Sequence, residues 1–201
     1  MNGAELAAVI VRACTGLGEA SDELRELDAV VGDGDLGVTI AQGTAAVRAR
    51  LGELPADIEP SQVIGAAAEV FGTSNPSTFA SLVASGLKAG ARECAGRADW
   101  GVADSVALGQ VVAATIARRG KSAVGDKTVL DALVPSIDAA GQHLSDGAAA
   151  LAAAIAAAEG GIAAVLDAPA QKGRAAWAGE RSIGFADAGA TAYLRFLQAL
   201  R

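Results

Sequence analysis

The stretch LDAVVGDGDLGVTIAQG, from Leu27 to Gly43, is the part of the sequence that best distinguishes between the possible folds of the chain. Its centre, GDGDLG, has the glycine spacing of a dinucleotide-binding loop, which joins a strand to a helix in an α/β fold. LDAVVG (27–32) is compatible with a short strand, but the next segment, 47–60, contains no second strand. Asp33 and Asp35 would also repel a bare pyrophosphate. The loop therefore does not favour a dinucleotide-binding fold.

Outside this loop, helical patterns dominate the sequence. Apolar and alanine-rich segments recur with helical spacing, and many are followed by glycine, as helix ends are. Eight segments have these features: residues 4–17, 37–50, 60–72, 75–91, 103–120, 126–144, 145–168 and 187–201. The sequence predicts an all-α fold, with one domain over residues 1–201 built as an antiparallel bundle or barrel of about eight helices.

Several residues predict where these helices begin or bend. Ser61 after Pro60, Asn75 before Pro76, and Asp126 are of the types that cap helix N-termini. Pro135 predicts a kink within its helix. In the segment 145–168, a bend is expected at Gly160 and Gly161.

Composition and charge exclude several function classes. The chain is 52% hydrophobic and 19% charged with a net charge of −7, which argues against a nucleic-acid-binding surface. The alanine run 148–158 is shorter than a membrane span and is flanked by Asp146 and Glu159. The first residues carry Glu5 and no basic segment, unlike a signal peptide. We expect a cytoplasmic protein that binds neither nucleic acid nor membrane.

The cysteines and the single histidine offer little chemistry. Cys14 and Cys94 form no CxxC motif, so two free and mostly buried thiols are expected. His143 lies late in a predicted helix, where a capping or surface role is expected. No motif supports a Ser-His-Asp triad built on it.

Three aspartates in the opening loop are candidate metal ligands. Asp28, Asp33 and Asp35 follow the pattern D-x4-D-x-D, and carboxylates on a tight glycine-rich turn can converge on one or two Mg²⁺ ions. An EF-hand does not fit, because Thr44 occupies the twelfth position, counted from Asp33, where that loop needs a glutamate. From the residues alone, an equally open alternative is that these aspartates only form turns and cap helices.

Polar residues concentrate in four segments: 28–39, 72–78, 120–128 and 179–189. Alternate connections of an antiparallel bundle lie at the same end, so these four segments are expected to meet at one rim. Nearby, Lys172, Arg174 and Arg181 are the only cations clustered beside a glycine-rich loop. They are candidates for contacts with phosphate or adenine, or belong to a solvated loop.

Taken together, four motifs resemble the nucleotide-binding (DhaL-type) domain of the dihydroxyacetone kinase family. LDAVVGDGDLGVTIAQG is similar to its metal loop, and GTSNPSTF (72–79) stands where the family has a phosphate-binding turn. RRGKSAVGDKTVLDALVPS (118–136) is similar to its Gly-Asp-Lys-Thr segment. KGRAAWAGERSIGFADAGATAYL (172–194) is similar to its C-terminal signature. The motifs occur in the family's order across nearly the whole chain.

The resemblance implies an eight-helix antiparallel barrel with ADP or ATP bound at one end. It implies that Asp28, Asp33 and Asp35 hold two Mg²⁺ ions that bridge the phosphates. The residues it implies around the nucleotide are Leu36, Gly37, Val38, Thr39, Ser74, Asn75, Gly120, Thr128, Val129, Arg174, Asp187, Ala188 and Gly189.

The resemblance also implies a division of labour. In the family, a histidine in a separate domain or subunit binds the carbonyl of the keto-sugar, and His143 matches no family motif. We therefore expect a DhaK-like partner holding dihydroxyacetone or a related ketose, with either a DhaM-like phosphodonor or exchanging ATP. Leu36, Thr73, Asn75, Pro76 and Ala188 depart from the family pattern. The alternative is a non-catalytic, nucleotide-sensing or regulatory protein on the same fold.

Overall fold

The polypeptide forms ten α-helices and no β-strand in a computed structural model that describes residues 1–201. The helices are α1 (Gly3–Glu19), α2 (Ser21–Val31), α3 (Asp35–Gly52), α4 (Pro60–Thr73), α5 (Thr78–Glu93), α6 (Val102–Gly120), α7 (Leu130–Ala140), α8 (Gly147–Ala164), α9 (Ala175–Ala178) and α10 (Ala188–Gln198). Two short 3-10 turns, Gly141–His143 and Gly179–Ser182, follow α7 and α9. The predicted all-α fold is confirmed.

Eight of the helices close into a ring. Helices α1, α3, α4, α5, α6, α7, α8 and α10 each contact the next in that order, and α10 contacts α1. Neighbours joined by a short connection, such as α4 and α5, run antiparallel. Helices α2 and α9 lie outside this order and contact each other. The ring corresponds to the predicted eight-helix barrel, with two additional helices placed beside one another.

Helix α2 corrects one sequence expectation, because LDAVVG (27–32) is not a strand. Leu24 is fully buried and Leu27 packs against the same core cluster, a three-residue spacing typical of a helix. Arg195 on α10 donates to both carboxylate oxygens of Glu23 at 2.8 and 2.5 Å, which fixes α2 against the barrel. Glu23 and Leu24, which fix the helix against the barrel, lie upstream of 27–32, so the six residues alone do not indicate the helix.

The start of α5 differs from the sequence prediction. Ser77, not Asn75, is the N-cap, and its hydroxyl accepts a hydrogen bond from the Ala80 N–H at 3.4 Å. Asn75 before Pro76 would also suit a cap, but its side-chain amide is used in hydrogen bonds with Thr39 and Gln42 on α3.

Two other predicted caps are also wrong. Helix α4 has Glu59 at its N-cap with Pro60 at the first helical position, so Ser61 is already inside the helix. Helix α7 begins at Leu130, because Lys127 adopts the left-handed conformation (φ 60°) and interrupts any helix from Asp126. The residues 121–129 instead form a turn.

Helix α8 runs without interruption through Gly160 and Gly161, so the expected bend is not observed. A Cβ at Gly161 would overlap the carbonyl of Asp131, whereas one at Gly160 would meet nothing within 4 Å. Gly161 therefore lets α7 and α8 approach closely. Pro135 lies within α7, which is one continuous helix from Leu130 to Ala140.

Helix α8 is longer than the alanine run considered from the sequence. Its 18 residues have a mean hydropathy of 1.5, enough by length and composition for a membrane span, although a single such helix is weak evidence. Within the barrel, α8 contacts α7 and α10, with Ala154, Ile155 and Ala158 buried in their shared core. That contact gives the helix a place in the protein core.

The remaining predictions about single residues are mostly confirmed. Cys14 and Cys94 are free and buried. His143 is exposed in the 3-10 turn after α7, in keeping with a surface role. For the two tryptophans, core or rim positions are expected from the sequence. Trp100 is buried and donates to the Ser105 hydroxyl at 2.8 Å, whereas Trp177 in α9 is 89% exposed.

Candidate metal and nucleotide site

Three carboxylates converge where α2 ends and α3 begins. Asp28 lies in the last turn of α2, Asp35 is the first residue of α3, and Asp33 lies in the tight turn between them. One oxygen from each lies within 4.8 Å of the others. Gly34 makes the turn possible with a left-handed φ of 73°, which glycine adopts at little cost.

Close approach of α2 and α3 supports this convergence. A Cβ on Gly37 would overlap the Ser21 carbonyl and the Arg25 side chain, so glycine is needed where the two helices cross. The Leu36 N–H donates to the Asp28 carboxylate at 3.2 Å and fixes its orientation. Burial raises the pKa of Asp28, and the nearby Asp35 and Asp33 charges raise it further. Such a cluster of oxygen ligands suits a hard divalent cation such as Mg²⁺.

Arg174 reaches this cluster from a distant part of the chain. Its guanidinium forms ion pairs with Asp33 and with Asp35, the latter at 2.8 Å. This contact lowers the pKa of Asp33 and raises that of Arg174. Because Arg174 is 139 residues from Asp35, the contact places the loop that carries it beside the carboxylate cluster. A guanidinium there can contact the oxygens of a bound phosphate.

The connection between α4 and α5 reaches the same end of the barrel. The Thr39 hydroxyl donates to Asn75 Oδ1 at 3.4 Å, and Asn75 Nδ2 donates to Gln42 Oε1 at 2.9 Å. These bonds join the first turns of α3 to residues 74–77. Ser74 is half-buried, and its hydroxyl donates to the Phe71 carbonyl at 3.1 Å.

The turn before α7 is tied to the loop that carries Arg174. Asp131 is buried and accepts from the N–H groups of Gly125 (2.6 Å) and Thr128 (2.7 Å). Lys127 projects from this turn and donates to three backbone carbonyls of residues 166–182. Burial lowers the pKa of Lys127, whereas the charges of Asp187 and Asp167 raise it.

Asp187 caps α10 next to this turn. Its carboxylate accepts from the Ala190 N–H at 2.7 Å. Burial raises the pKa of Asp187 to about 6, and the charges of Asp131 and Asp28 contribute in the same direction. Ala188 is buried, and a Cβ on Gly189 would crowd the ring of Phe79. The start of α10 thus packs against Phe79 of α5 through Gly189, and Asp187 lies within electrostatic range of Lys127 and Asp131.

The four polar segments expected at one rim are thus brought together by these contacts. Within them, the side chains of Leu36 and Thr39 are buried, and Gly37 lies against α2, so these residues face a ligand only through their backbone. Val38 is exposed. Gly120 ends α6, Val129 precedes α7, and Thr128 accepts from the Leu130 N–H at 3.3 Å. The nucleotide contacts assigned to these residues stay predictions.

Sequence reasoning missed two contributors to the site. Lys127 lies in the motif GDKT, yet its carbonyl partners are 39 to 55 residues further along the chain. Gln42 lies on α3, 33 residues before Asn75, and orients the Asn75 amide by accepting its hydrogen bond. The sequence offered one signal for Lys127, a lysine between apolar segments, but no pattern indicates which carbonyls it reaches.

Comparison with known proteins identifies the family. Residues 30–201 match the DAK2 domain. The chain belongs to the DAK2 domain family. The resemblance inferred from the four sequence motifs is therefore confirmed.

Relatives with this domain carry kinase names. ADP-binding subunit DhaL of the PEP-dependent dihydroxyacetone kinase 1 of Listeria innocua is 34% identical over 182 residues, which cover 83% of this chain and 79% of the relative. D-erythrulose kinase of Mycolicibacterium smegmatis is 34% identical over 187 residues, covering 87% of this chain but only 31% of that protein. This DAK2 domain therefore matches most of a DhaL subunit and about a third of a longer kinase.

A solved structure shares the fold. The dihydroxyacetone kinase from C. freundii, in complex with AMP-PNP and Mg²⁺, aligns with a TM-score of 0.77 at 23% sequence identity. The alignment covers all of this chain and 34% of the other. At this level of identity, the likeness supports the architecture and carries no residue assignments.

Proposed function

We propose that this DAK2 domain is the nucleotide-binding subunit of a kinase that acts on a small ketose. It holds ADP or ATP through Mg²⁺ at the rim formed by the four polar segments. The observation that carries the proposal is the convergence of Asp28, Asp33 and Asp35 within 4.8 Å, next to Arg174. A turn or cap function would not require three carboxylates to face one another.

The chain's own residues perform positioning and charge neutralisation. Asp28, Asp33 and Asp35 would hold two Mg²⁺ ions, whose positive charge would offset the negative charge of the phosphates. Arg174 donates from its guanidinium to the phosphates. The N–H groups of Gly37, Val38 and Asn75 have no acceptor within the protein and approach the phosphates through the backbone. Phosphoryl transfer needs little other covalent chemistry from the protein.

The substrate of the proposed reaction is dihydroxyacetone or a related ketose held by a DhaK-like subunit. The Listeria innocua relative is named an ADP-binding subunit, which supports a shared role in catalysis. His143 is exposed beyond the end of α7 and is not among the residues of the acidic cluster. The phosphodonor is either a DhaM-like protein that acts on bound ADP, or ATP that exchanges. We place the protein in the cytoplasm.

The test is calorimetry of ADP binding with and without Mg²⁺. Asp33→Asn keeps the turn and removes one ligand charge, so we expect Mg²⁺-dependent affinity to fall roughly tenfold or more, with unchanged helix content. Asp22→Asn is the matched control, since it makes the same charge change on α2 where the side chain is 86% exposed. Equal ADP affinity of the Asp33 variant and the wild type in Mg²⁺ would refute the metal assignment.

The phosphate turn favours the second candidate, a nucleotide-sensing or regulatory protein. Pro76 has no N–H, and one N–H of the Asn75 amide is already used by Gln42. A turn with fewer free N–H donors stabilises less of the negative charge that develops on the phosphate during phosphoryl transfer. Mg²⁺-dependent ADP binding without kinase activity in the presence of a DhaK-like partner would support this candidate.

A further inference from the structure

Lys127 is a buried lysine whose three ammonium hydrogens are all used. It is 3% exposed, and Nζ donates to the carbonyls of Leu166 (2.8 Å), Ala168 (2.9 Å) and Ser182 (2.7 Å). An ammonium has three donors and no acceptor, so these carbonyls satisfy it completely. No N–H of Lys127 is left to contact a phosphate.

The backbone at Lys127 is held in an uncommon conformation. Its φ of 60° is left-handed, which is unfavourable for a residue with a Cβ. The Asp131 carboxylate fixes the turn by accepting from the N–H groups on either side, at Gly125 and Thr128. The turn thus directs the side chain inward, toward the segment that follows α8.

That segment has little regular structure of its own. Residues 165–187 contain only the four-residue α9 and one 3-10 turn. Lys127 contacts its first part at Leu166 and Ala168 and its later part at Ser182, so one ammonium joins both ends of a loop. Arg174 lies between these two ends and reaches Asp33 and Asp35.

Three further hydrogen bonds hold the same loop, two within it and one to the turn before α7. The Gly184 N–H donates to the Leu166 carbonyl at 2.9 Å, and the Ala170 N–H donates to Ser182 Oγ at 2.8 Å. The Gln171 N–H donates to the Asp126 carbonyl at 3.0 Å. Of all these contacts, only the ammonium of Lys127 joins both ends of the loop to the turn before α7.

We propose that Lys127 is a positioning residue, which closes the base of the loop 166–182 and thereby holds Arg174 against Asp33 and Asp35. The expected effect of Lys127 on nucleotide binding rests on the proposed function. Lys127 acts through Arg174 and does not touch the phosphates. Removing its ammonium leaves three carbonyls without their donor and lets the loop move away from the acidic cluster.

The first test measures the loop itself. In Lys127→Met, we expect hydrogen exchange at the amides of Ala170, Gln171 and Gly184 to accelerate at least tenfold, because their bonds depend on the closed loop. Lys121→Met is the matched control, since Lys121 also has a left-handed φ (50°) but is exposed and its side chain makes no hydrogen bond. Unchanged exchange at the three amides would overturn the proposal.

The second test is a double-mutant cycle with Arg174. Lys127→Met should weaken Mg²⁺–ADP binding roughly 10–100-fold, as loss of a residue behind a metal site does. In an Arg174→Met background, the same substitution should change affinity less than threefold, because its effect passes through Arg174. An equal loss in both backgrounds would show that Lys127 acts independently of Arg174 and would contradict the proposal.

If Lys127→Met does not fold, Lys127→Arg is the variant that tests the proposal. A guanidinium keeps the charge and several donors, so it should restore part of the exchange protection and part of the affinity. An arginine variant that folds stably but exchanges fast and binds ADP like the wild type would refute the positioning role. Failure of the wild type to bind Mg²⁺–ADP would instead refute the proposed function, and the exchange measurement would still decide the role of Lys127 in the loop.

Discussion

At the scale of single residues, Asn75 and Ser77 lie two positions apart and do different work. Ser77 accepts from the Ala80 N–H and caps α5, whereas Asn75 bonds Thr39 and Gln42 on α3. We expect Ser77→Ala to lower the free energy of unfolding by about 1 kcal/mol, as loss of an N-cap does. Asn75→Ala should cost less, because the Thr39–Asn75 hydrogen bond is long, at 3.4 Å, and the bond to Gln42 is exposed to solvent. Urea unfolding of both variants measures the difference.

The same pair separates stability from phosphate chemistry. The second N–H of the Asn75 amide is free to reach a phosphate oxygen, since only one is used by Gln42. In the reconstituted kinase, Asn75→Ala should raise the transition-state free energy by about 1–3 kcal/mol, while Ser77→Ala leaves the rate per folded molecule unchanged. If Asn75→Ala lowers the free energy of unfolding more than Ser77→Ala does, and leaves the rate of phosphoryl transfer unchanged, both assignments are wrong.

Asp187 makes the stability of the protein depend on pH. Its pKa is raised to about 6 by burial and by Asp131 and Asp28, although Lys127 opposes them. Because the folded protein keeps the proton longer than the unfolded chain, this contribution is complete below about pH 4 and is lost as pH rises through 6. We expect a loss of up to about 3 kcal/mol over that range.

The measurement is urea unfolding of wild type and Asp187→Asn at pH 4, 5, 6 and 7. Asparagine still caps α10 but does not titrate in this range. The stability of the variant relative to the wild type should therefore increase with pH and level off above pH 6. A difference that stays constant, or one that falls with pH, would show that the pKa of Asp187 is not raised.

The three clustered aspartates and Lys127 show what single residues reveal in a sequence. Asp28, Asp33 and Asp35 lie within eight residues, so their spacing could be used to predict that they converge. Lys127 depends on carbonyls of Leu166 and Ser182, and any residue type supplies a carbonyl. Backbone partners leave no trace in residue identity, and for that reason the role of Lys127 could not be predicted.

At the scale of elements, helix existence was more predictable than helix boundaries. The eight segments with helical patterns all contain helices, but the second helix, Ser21–Val31, was overlooked. Leu24 is its only buried residue, so its apolar face is narrow. Caps were mispredicted where two suitable residues competed, as at Asn75 and Ser77, because tertiary contacts decide between them.

Two adjacent glycines in α8 give a matched test of helix contact. Gly160→Ala meets no atom within 4 Å and should stabilise the protein by about 0.5–1 kcal/mol, since alanine favours a helix. Gly161→Ala forces a methyl group into the Asp131 carbonyl and should destabilise it by about 1–3 kcal/mol.

Thermal and urea unfolding of the two glycine variants compare these effects directly. Both substitutions have the same intrinsic helix propensity, so their difference reports the contact of α7 with α8 alone. The Gly161 variant should also weaken ADP binding, because Asp131 holds the turn that carries Lys127. Equal effects of the two substitutions on stability would mean that α7 and α8 are not in close contact.

At the scale of the whole molecule, the closed ring of helices explains why four distant segments share one rim. Short connections return the chain to the same end after every second helix, so polar loops far apart in sequence become neighbours. A bundle of about eight helices was predictable from the helical segments, and the closed barrel was implied by the family resemblance. The contacts at the rim were not, because they join residues up to 139 positions apart, as Arg174 and Asp35 do.

The last prediction concerns the division of labour between this chain and a partner. With ATP and dihydroxyacetone, we expect the purified chain to show no kinase turnover, because the carbonyl-binding histidine of the proposed reaction lies on the DhaK-like subunit. Activity should appear when such a subunit is added, with ATP or with a DhaM-like phosphodonor. A coupled assay of dihydroxyacetone phosphate formation measures both conditions.

The control uses the same partner with the Asp33→Asn variant. If the three carboxylates position the phosphates, this variant should bind the partner as the wild type does, yet fail to restore turnover at Mg²⁺ concentrations where the wild type is active. The comparison separates assembly from chemistry, since Asp33 is an exposed member of the carboxylate cluster and not part of the barrel core. Turnover by the isolated wild-type chain would disprove the subunit assignment, because the barrel would then have to bind the ketose as well as the nucleotide.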